Sequence, residues 1–346
     1  MNRSVERRRV AVRGTRPGEL VVGWFVHPTR GRVRCPAAPL VAANLRAQGH
    51  HIREVHGWLE PATGDTDGVM FAASYLDPGG AAVGLAVAAH DADHAAIRSA
   101  REAVHAWSAA WRSRRLVVAA AEPCCANESS PSDPCPQVAA ARQAVDRFAQ
   151  RGDTVVLIGR SPLGPLSADT VQVASAVEVA DLQLDPDRVS YLVAPGTVLE
   201  RAMPVVSALR ARYPRLRGVH PGSLCYLASD RLATVRAVAT RCDRLFLLGD
   251  PNATDTAELV RAAGTRKPVH ILGHFEQVRP AWLAGTESVG LAAARSTPPL
   301  LLHAMIDALS GMGPLSVVRQ RVVTELARKG SWLPSSDIIT TTLSTV

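Results

Sequence analysis

A cysteine set between two prolines, in Ser132-Asp-Pro-Cys135-Pro136, stands directly before a helical pattern and a short apolar run, and this unit constrains the chain more than any other stretch. Val138, Ala141, Val145 and Phe148 recur at three- and four-residue steps, which predicts a helix with one face turned to a core. Gly152 stops that helix, and Thr154-Val-Val-Leu-Ile158 follows as a wholly apolar strand. Pro136 suits the first helical position, where the missing N–H has no partner in any case. A thiol at such a helix start has its thiolate favoured by the macrodipole and the unpaired amides, which suits metal ligation. The plain alternative is a buried structural thiol.

The unit recurs. Pro221-Gly-Ser-Leu-Cys225-Tyr226 precedes the helical stretch from Leu227 to Cys242 and the strand Arg244–Gly249. Near the start, Val21–Val26 reads as a strand, and Cys35-Pro-Ala-Ala-Pro-Leu precedes a helix through Leu45 that stops at Gly49. The three cysteines are 100 and 90 residues apart. A repeat of this kind predicts an α/β protein of three similar α/β units arranged pseudo-threefold around a central iron–sulfur site. Three thiolates meeting there would hold a cluster with one iron left open.

With 346 residues, the chain has room for two or three small domains. We expect a basic arm over 1–18, a first α/β unit over 19–116, a second over 117–205 and a third over 206–315. A C-terminal helix and mobile tail are expected over 316–346. No run of eighteen apolar residues predicts a membrane span, and the basic start lacks the apolar stretch of a secretory signal. Six cysteines without short regular spacing read as cytosolic thiols, which points to the cytoplasm. A formal charge of +8 suits anionic ligands such as diphosphates. It does not argue for nucleic acid: the arginines are scattered along helices, and only four tyrosines and five phenylalanines are available to stack on bases. No glycine fingerprint, Ser/His/Asp order or His-Glu-x-x-His motif points to other chemistry.

The motifs resemble those of the LytB family, the 4-hydroxy-3-methylbut-2-enyl diphosphate reductases of the non-mevalonate isoprenoid route. Ser132-Asp-Pro-Cys135-Pro136 stands where the family has Asp-Ala-Thr-Cys-Pro, and Leu224-Cys225-Tyr226-Leu-Ala-Ser-Asp-Arg231 resembles its Ile-Cys-Tyr-Ala-Thr-Thr-Asn-Arg. Gly249-Asp-Pro-Asn252-Ala-Thr254-Asp255-Thr is similar to its Gly-Ser-Lys-Asn-Ser-Ser-Asn-Ser. Val289-Gly290-Leu-Ala-Ala-Ala-Arg295-Ser296-Thr-Pro298 is similar to its Gly-Val-Thr-Ala-Gly-Ala-Ser-Ala-Pro. The likeness runs from about residue 130 to 315.

The resemblance implies a 4Fe-4S cluster on Cys35, Cys135 and Cys225, with Cys124 or Cys125 as the alternative to Cys35. It implies reductive dehydroxylation of an allylic diphosphate to isopentenyl and dimethylallyl diphosphate, with a one-electron donor such as ferredoxin or flavodoxin. Two helix starts would hold the diphosphate: Thr254 and Asp255, in the capping-box pattern Asp255-Thr-Ala-Glu258, and Ser296, just before Pro298-Pro299. The other reading of these residues is that they are ordinary helix caps. Asp255 stands where the family has asparagine, and a carboxylate repels phosphate unless it turns to cap its helix. Arg160 would add a guanidinium to the phosphate contacts. The family's Gly-His-Pro-Glu-Val-Glu is replaced by Gly159-Arg-Ser-Pro-Leu-Gly164, without the proton-relay glutamate or the histidine. His90, in Ala88-Ala89-His90, is the candidate acid, but Phe71-Ala-Ala-Ser74 fits the same motif equally well. The lost groups leave a second possibility, a non-catalytic relative that keeps the fold as a cluster-binding or scaffold protein. A third is another three-cysteine cluster enzyme, such as a quinolinate-synthase-like lyase.

Overall fold

The computed structural model describes residues 5–120, 135–160, 163, 169–325, 335–338 and 341–342. Two compact units emerge. The first comprises Met1–Ala119, Val238–Arg319 and Thr341–Val346, the second Ala120–Ala237 and Gln320–Thr340.

The chain opens with β1 (Glu6–Val12), β2 (Glu19–His27), β3 (Gly31–Val33), helix α1 (Ala38–Ala47), β4 (His51–Leu59), β5 (Gly68–Leu76) and β6 (Ala82–His90). These strands form one sheet in the order β1-β5-β6-β2-β3, with β4 parallel to β2. The β5–β6 hairpin turns at Asp77-Pro-Gly-Gly80, as expected, and Gly80 takes the positive φ of 83° that the turn requires. Helix α2 (His94–Ala109) packs on β5 and β6. Strand β7 (Arg114–Ala119) then enters a different sheet.

In the second unit, α3 (Pro136–Gln150) leads to β8 (Thr154–Ile158), followed by β9 (Thr170–Val173), α4 (Ala176–Ala180), β10 (Val189–Val193), α5 (Leu199–Arg212) and β11 (Arg217–Gly218). The four strands are all parallel, in the order β11-β10-β8-β9. Val138, Ala141, Val145 and Phe148 are the buried face of α3, as their spacing predicts, and pack against Val155 and Leu157. Gly152 ends the helix at φ +74°.

Helix α6 (Leu227–Arg241) carries the chain back to the first unit. There follow β12 (Arg244–Leu248), α7 (Thr254–Ala263), β13 (Val269–Leu272), α8 (Pro280–Leu283), β14 (Ser288–Ala293), α9 (Pro299–Ser310), β15 (Leu315–Gln320), β16 (Val322–Glu325), β17 (Ser335–Ile338) and β18 (Thr341–Thr342). The order β13-β12-β14-β7 is parallel, with β15 and β18 beyond it. The α/β class stands. The first sheet, however, is built largely of antiparallel hairpins, whereas the other two have parallel centres.

Three local expectations fail. Residues 6–12 are an edge strand paired residue by residue with β5, not a loose arm. Three consecutive arginines hide the alternation of β1, yet Val12 is buried and the charges line an edge, where they discourage pairing with other chains. The expected helix after Leu315 is instead β15 and β16. Its Val-Val and Val-Val-Thr runs are β-branched, and sheet pairing overrides their accidental helical spacing. Residues 335–338 pair with β16, and 341–342 with β15, where a tail was expected. Strand β4 went unread because its histidines and arginine break the apolar pattern.

Each unit contains a buried polar cluster. In the second unit, Asp153 is 2% exposed; it accepts a hydrogen bond from the fully buried Ser190 hydroxyl and one of 2.8 Å from Arg217 Nη1. The carboxylate thereby ties the starts of β8, β10 and β11. We expect Asp153→Ala to destabilise this unit by about 2–3 kcal/mol, because it strands the Ser190 hydroxyl and removes a charge-assisted bond. Urea midpoints and faster amide exchange in β8 and β10 will report it.

In the first unit, the His27 ring is buried. Its Nδ1 accepts from the Thr29 and Arg30 amides, each at 3.2 Å, and its Nε2 lies 3.4 Å from Glu6 Oε2. Those donors fix the neutral tautomer with the proton on Nε2. Burial pulls the imidazole below its ordinary value of 6.5, the Glu6 carboxylate opposes that shift, and the Arg30 and Arg8 guanidiniums reinforce it. The unfolded chain therefore binds the proton more readily. Stability is complete above pH 6.5 and falls as the pH drops below it. Urea midpoints measured between pH 7.5 and 5 should decline in the native chain and flatten in His27→Gln.

Candidate functional site

Cys135 is the residue immediately before α3, with φ −47° and ψ 127°, and Pro136 takes the first helical position. Its carbonyl accepts the first helical bonds, from the Val138 and Ala139 amides at 2.9 and 3.1 Å. The thiol is half-buried at the edge of the α3 core. Cys225 stands two residues before α6, after a single 3-10 turn over Pro221–Ser223, and is 7% exposed. That turn packs against α3, so the two cysteine-bearing segments lie on elements in contact within the second unit.

Cys35 departs from the expectation. It lies three residues before α1, is 1% exposed and sits in the apolar core of the first unit. Its Sγ is 3.9 Å from the Val33 carbonyl, and burial pushes the thiol far above its ordinary range. Such packing is the environment of a structural thiol. Cys124 and Cys125 lie outside the described residues, as do Ser132 and the loop around it. Among the described residues no three His, Cys, Asp or Glu side chains gather into a metal-ligating group. The described residues therefore do not by themselves complete a cluster site.

The second constellation lies in the first unit, between the starts of α7 and α9. Gly249 ends β12 where a side chain has no room: a Cβ there would sit 2.5 Å from Thr256 Oγ1 and 2.8 Å from the Ala294 methyl. The start of α7 is thus drawn close to the loop after β14. Asp255 and Ser296 meet across this gap. Asp255 Oδ2 accepts from the Ser296 amide at 3.1 Å, and both carboxylate oxygens lie 3.3 Å from Ser296 Oγ. Oδ1 also accepts from the Thr256 amide at 3.0 Å.

The capping box is not formed. The residue before α7 is Ala253, without a side-chain cap, and Asp255 sits inside the first turn, reaching sideways to Ser296. Helix α9 likewise starts at Pro299, so Ser296 lies in the loop ahead of it. Thr254 is the first residue of α7 and exposed, and its companion Thr256 is fully buried.

The remaining candidates lie elsewhere. Arg160 follows β8 and is exposed; its neighbours 161–162 and 164–168 lie outside the described residues. His90 ends β6, where its Nδ1 accepts from the Ala92 amide at 3.2 Å and lies 3.4 Å from Asp91 Oδ1. That geometry shapes the turn into α2. Ser74 is fully buried, its hydroxyl taking a 3.0 Å bond from Arg30 Nη1. Sequence reading found both members of the Asp255–Ser296 pair but not their bond. The signal was there, in a carboxylate standing where the resemblance calls for an amide.

The model of the LytB protein family matches residues 130–310, more than half of the chain, and the protein belongs to that family. The matched span contains Cys135, Cys225, Thr254, Asp255 and Ser296. The chain is 33% identical over 207 residues to 4-hydroxy-3-methylbut-2-enyl diphosphate reductase 2 of Mycobacterium bovis, covering 57% of this chain and 62% of that one. The reductase of Chromohalobacter salexigens is 28% identical over 194 residues, covering 52% and 61%. The chain thus spans less than two thirds of the length of these curated relatives. The solved E-1-hydroxy-2-methyl-but-2-enyl-4-diphosphate reductase of Plasmodium falciparum superposes with a TM-score of 0.44 at 17% identity, over 64% of this chain and 75% of that one.

Proposed function

We propose that this protein is an iron–sulfur reductase of the LytB type, removing the hydroxyl of an allylic diphosphate as water to give isopentenyl and dimethylallyl diphosphate. The observation that carries this reading is the family match across both cysteine motifs, whose thiols stand ahead of α3 and α6 on touching elements. Cys135 and Cys225 are the proposed ligands of a 4Fe-4S cluster; Cys35, in its observed packing, is not among them. Two thiols do not fill a cluster's ligand set. The cluster would supply single electrons, drawn from a small one-electron donor of the ferredoxin or flavodoxin kind.

Thr254 and Ser296 are the proposed holders of the diphosphate. His90 remains the candidate proton donor through its Nε2, since its Nδ1 accepts from the Ala92 amide. The reaction is assigned to the cytoplasm, where thiols stay reduced. Among the described residues no helix is long and apolar enough to cross a membrane.

The test is purification without oxygen, assay of iron and sulfide, and turnover of 4-hydroxy-3-methylbut-2-enyl diphosphate with a one-electron donor. Iron and sulfide together with turnover support the reading. Iron without turnover favours the scaffold alternative, and the absence of both overturns the assignment.

A further inference from the structure

Resting on the reading of the α7–α9 cleft as the diphosphate-holding end of the site, we propose that Asp255 is a specificity-determining residue. Its carboxylate is an anion already resident in the cleft, which a diphosphate must displace from Ser296. The argument begins with the donors. Ser296 offers an amide and a hydroxyl, and α7 offers the amide of Thr256. All three point at one carboxylate, at 3.0 to 3.3 Å.

Helix α7 spans ten residues and α9 twelve. Their starts carry partial positive charge that a carboxylate within reach neutralises. An incoming phosphate oxygen therefore meets a like charge where an amide side chain would offer it a donor. The fold holds Asp255 there firmly. Gly249 brings the two segments close, and the Thr297 hydroxyl fixes the loop before α9 by donating to the Leu248 carbonyl at 2.8 Å.

The consequence is a selective weakening toward multiply charged anions. A ligand whose end carries less charge, or is hydroxylated, is disfavoured less. Asparagine has the same shape, keeps one oxygen for the Ser296 amide and replaces the other with a donor. In Asp255→Asn the cleft should bind inorganic diphosphate at least about tenfold more tightly, the scale expected from removing a like charge at contact distance.

The test is calorimetric titration of the full-length chain with sodium diphosphate, comparing the native protein, Asp255→Asn, Asp255→Ser and the double variant Asp255→Asn with Ser296→Ala. Circular dichroism of each variant verifies the fold. Tighter binding in both single variants, with the asparagine gain lost in the double, supports the proposal. Unchanged or weaker binding in folded single variants overturns it, and so does a gain that survives the loss of the Ser296 hydroxyl. The readout needs no turnover. Tightening without activity in any variant would sink the reductase reading alone, and turnover without tightening would sink only this one.

Discussion

Arg114→Met is expected to lower the unfolding free energy of the first unit by about 3 kcal/mol, since several buried carbonyls lose a charge-assisted partner at once. Arg114 is 5% exposed, and its guanidinium donates to the carbonyls of Ala110, Leu283 at 2.7 Å and Met312 at 2.6 Å. Ala110 caps the end of α2, Leu283 is the last residue of α8, and Met312 follows the end of α9. Three helix C-termini thus converge on one cation, each presenting its negative end. Burial opposes the charge and draws the guanidinium down to about 10. The outcome is a contest between desolvation and the carbonyls.

Replacing a buried ion by a hydrophobe of similar volume is often neutral where its partners are themselves removed. Here the partners are main-chain carbonyls and stay behind. The Leu283 and Met312 carbonyls keep only long bonds, of 3.3 Å from the Thr286 amide and 3.4 Å from the Arg112 amide. Arg114→Lys should rescue little, because a single ammonium does not reproduce the planar fork that reaches them all. The measurement is urea unfolding followed by tryptophan fluorescence, apt because Trp107 and Trp111 are buried beside Arg114 in sequence and in the same core. An Arg114→Met variant as stable as the native chain would show that the helix ends do not compensate the charge.

Arg114 also marks where sequence reading stops. Periodicity at Val138, Ala141, Val145 and Phe148 discloses α3, because burial repeats with the helical turn. The apolar run Thr154–Ile158 discloses β8 because both faces of a parallel strand are covered. Nothing local distinguishes Arg114 from the neighbouring Arg112 and Arg115. Its role depends on three helix ends brought together from positions 110, 283 and 312, a long-range fact without a local signature. The same holds for Asp153, whose partners Ser190 and Arg217 lie on other strands. The strands β15 and β16 failed for the opposite reason: their local pattern was readable but ambiguous, and pairing partners decided it. In the candidate site, motif spacing found the residues, and only the fold revealed that Asp255 closes on Ser296.

Cys135→Ser and Cys225→Ser should each reduce the iron retained by anaerobically purified protein to near background, whereas Cys35→Ser should keep it. The difference follows from environment more than from sequence. Serine keeps the size of the side chain but offers a hard, neutral hydroxyl where a cluster requires a soft thiolate. At position 135 the side chain stands half-buried at the start of a fifteen-residue helix. At position 225 it is nearly enclosed but rests on the turn that touches α3. Position 35 lies three residues before α1 and is 1% exposed. Its thiol packs in the first unit's core, so a serine there costs about 1–3 kcal/mol of stability by burying a more polar hydroxyl in apolar surroundings, without touching the metal. Iron assay and visible absorption read the first effect and urea unfolding the second. Full iron in both Cys135→Ser and Cys225→Ser would remove the cluster from these two helix starts. Loss of iron in Cys35→Ser, with the fold intact, would return Cys35 to the ligand set and require its segment to leave the core when the cluster binds.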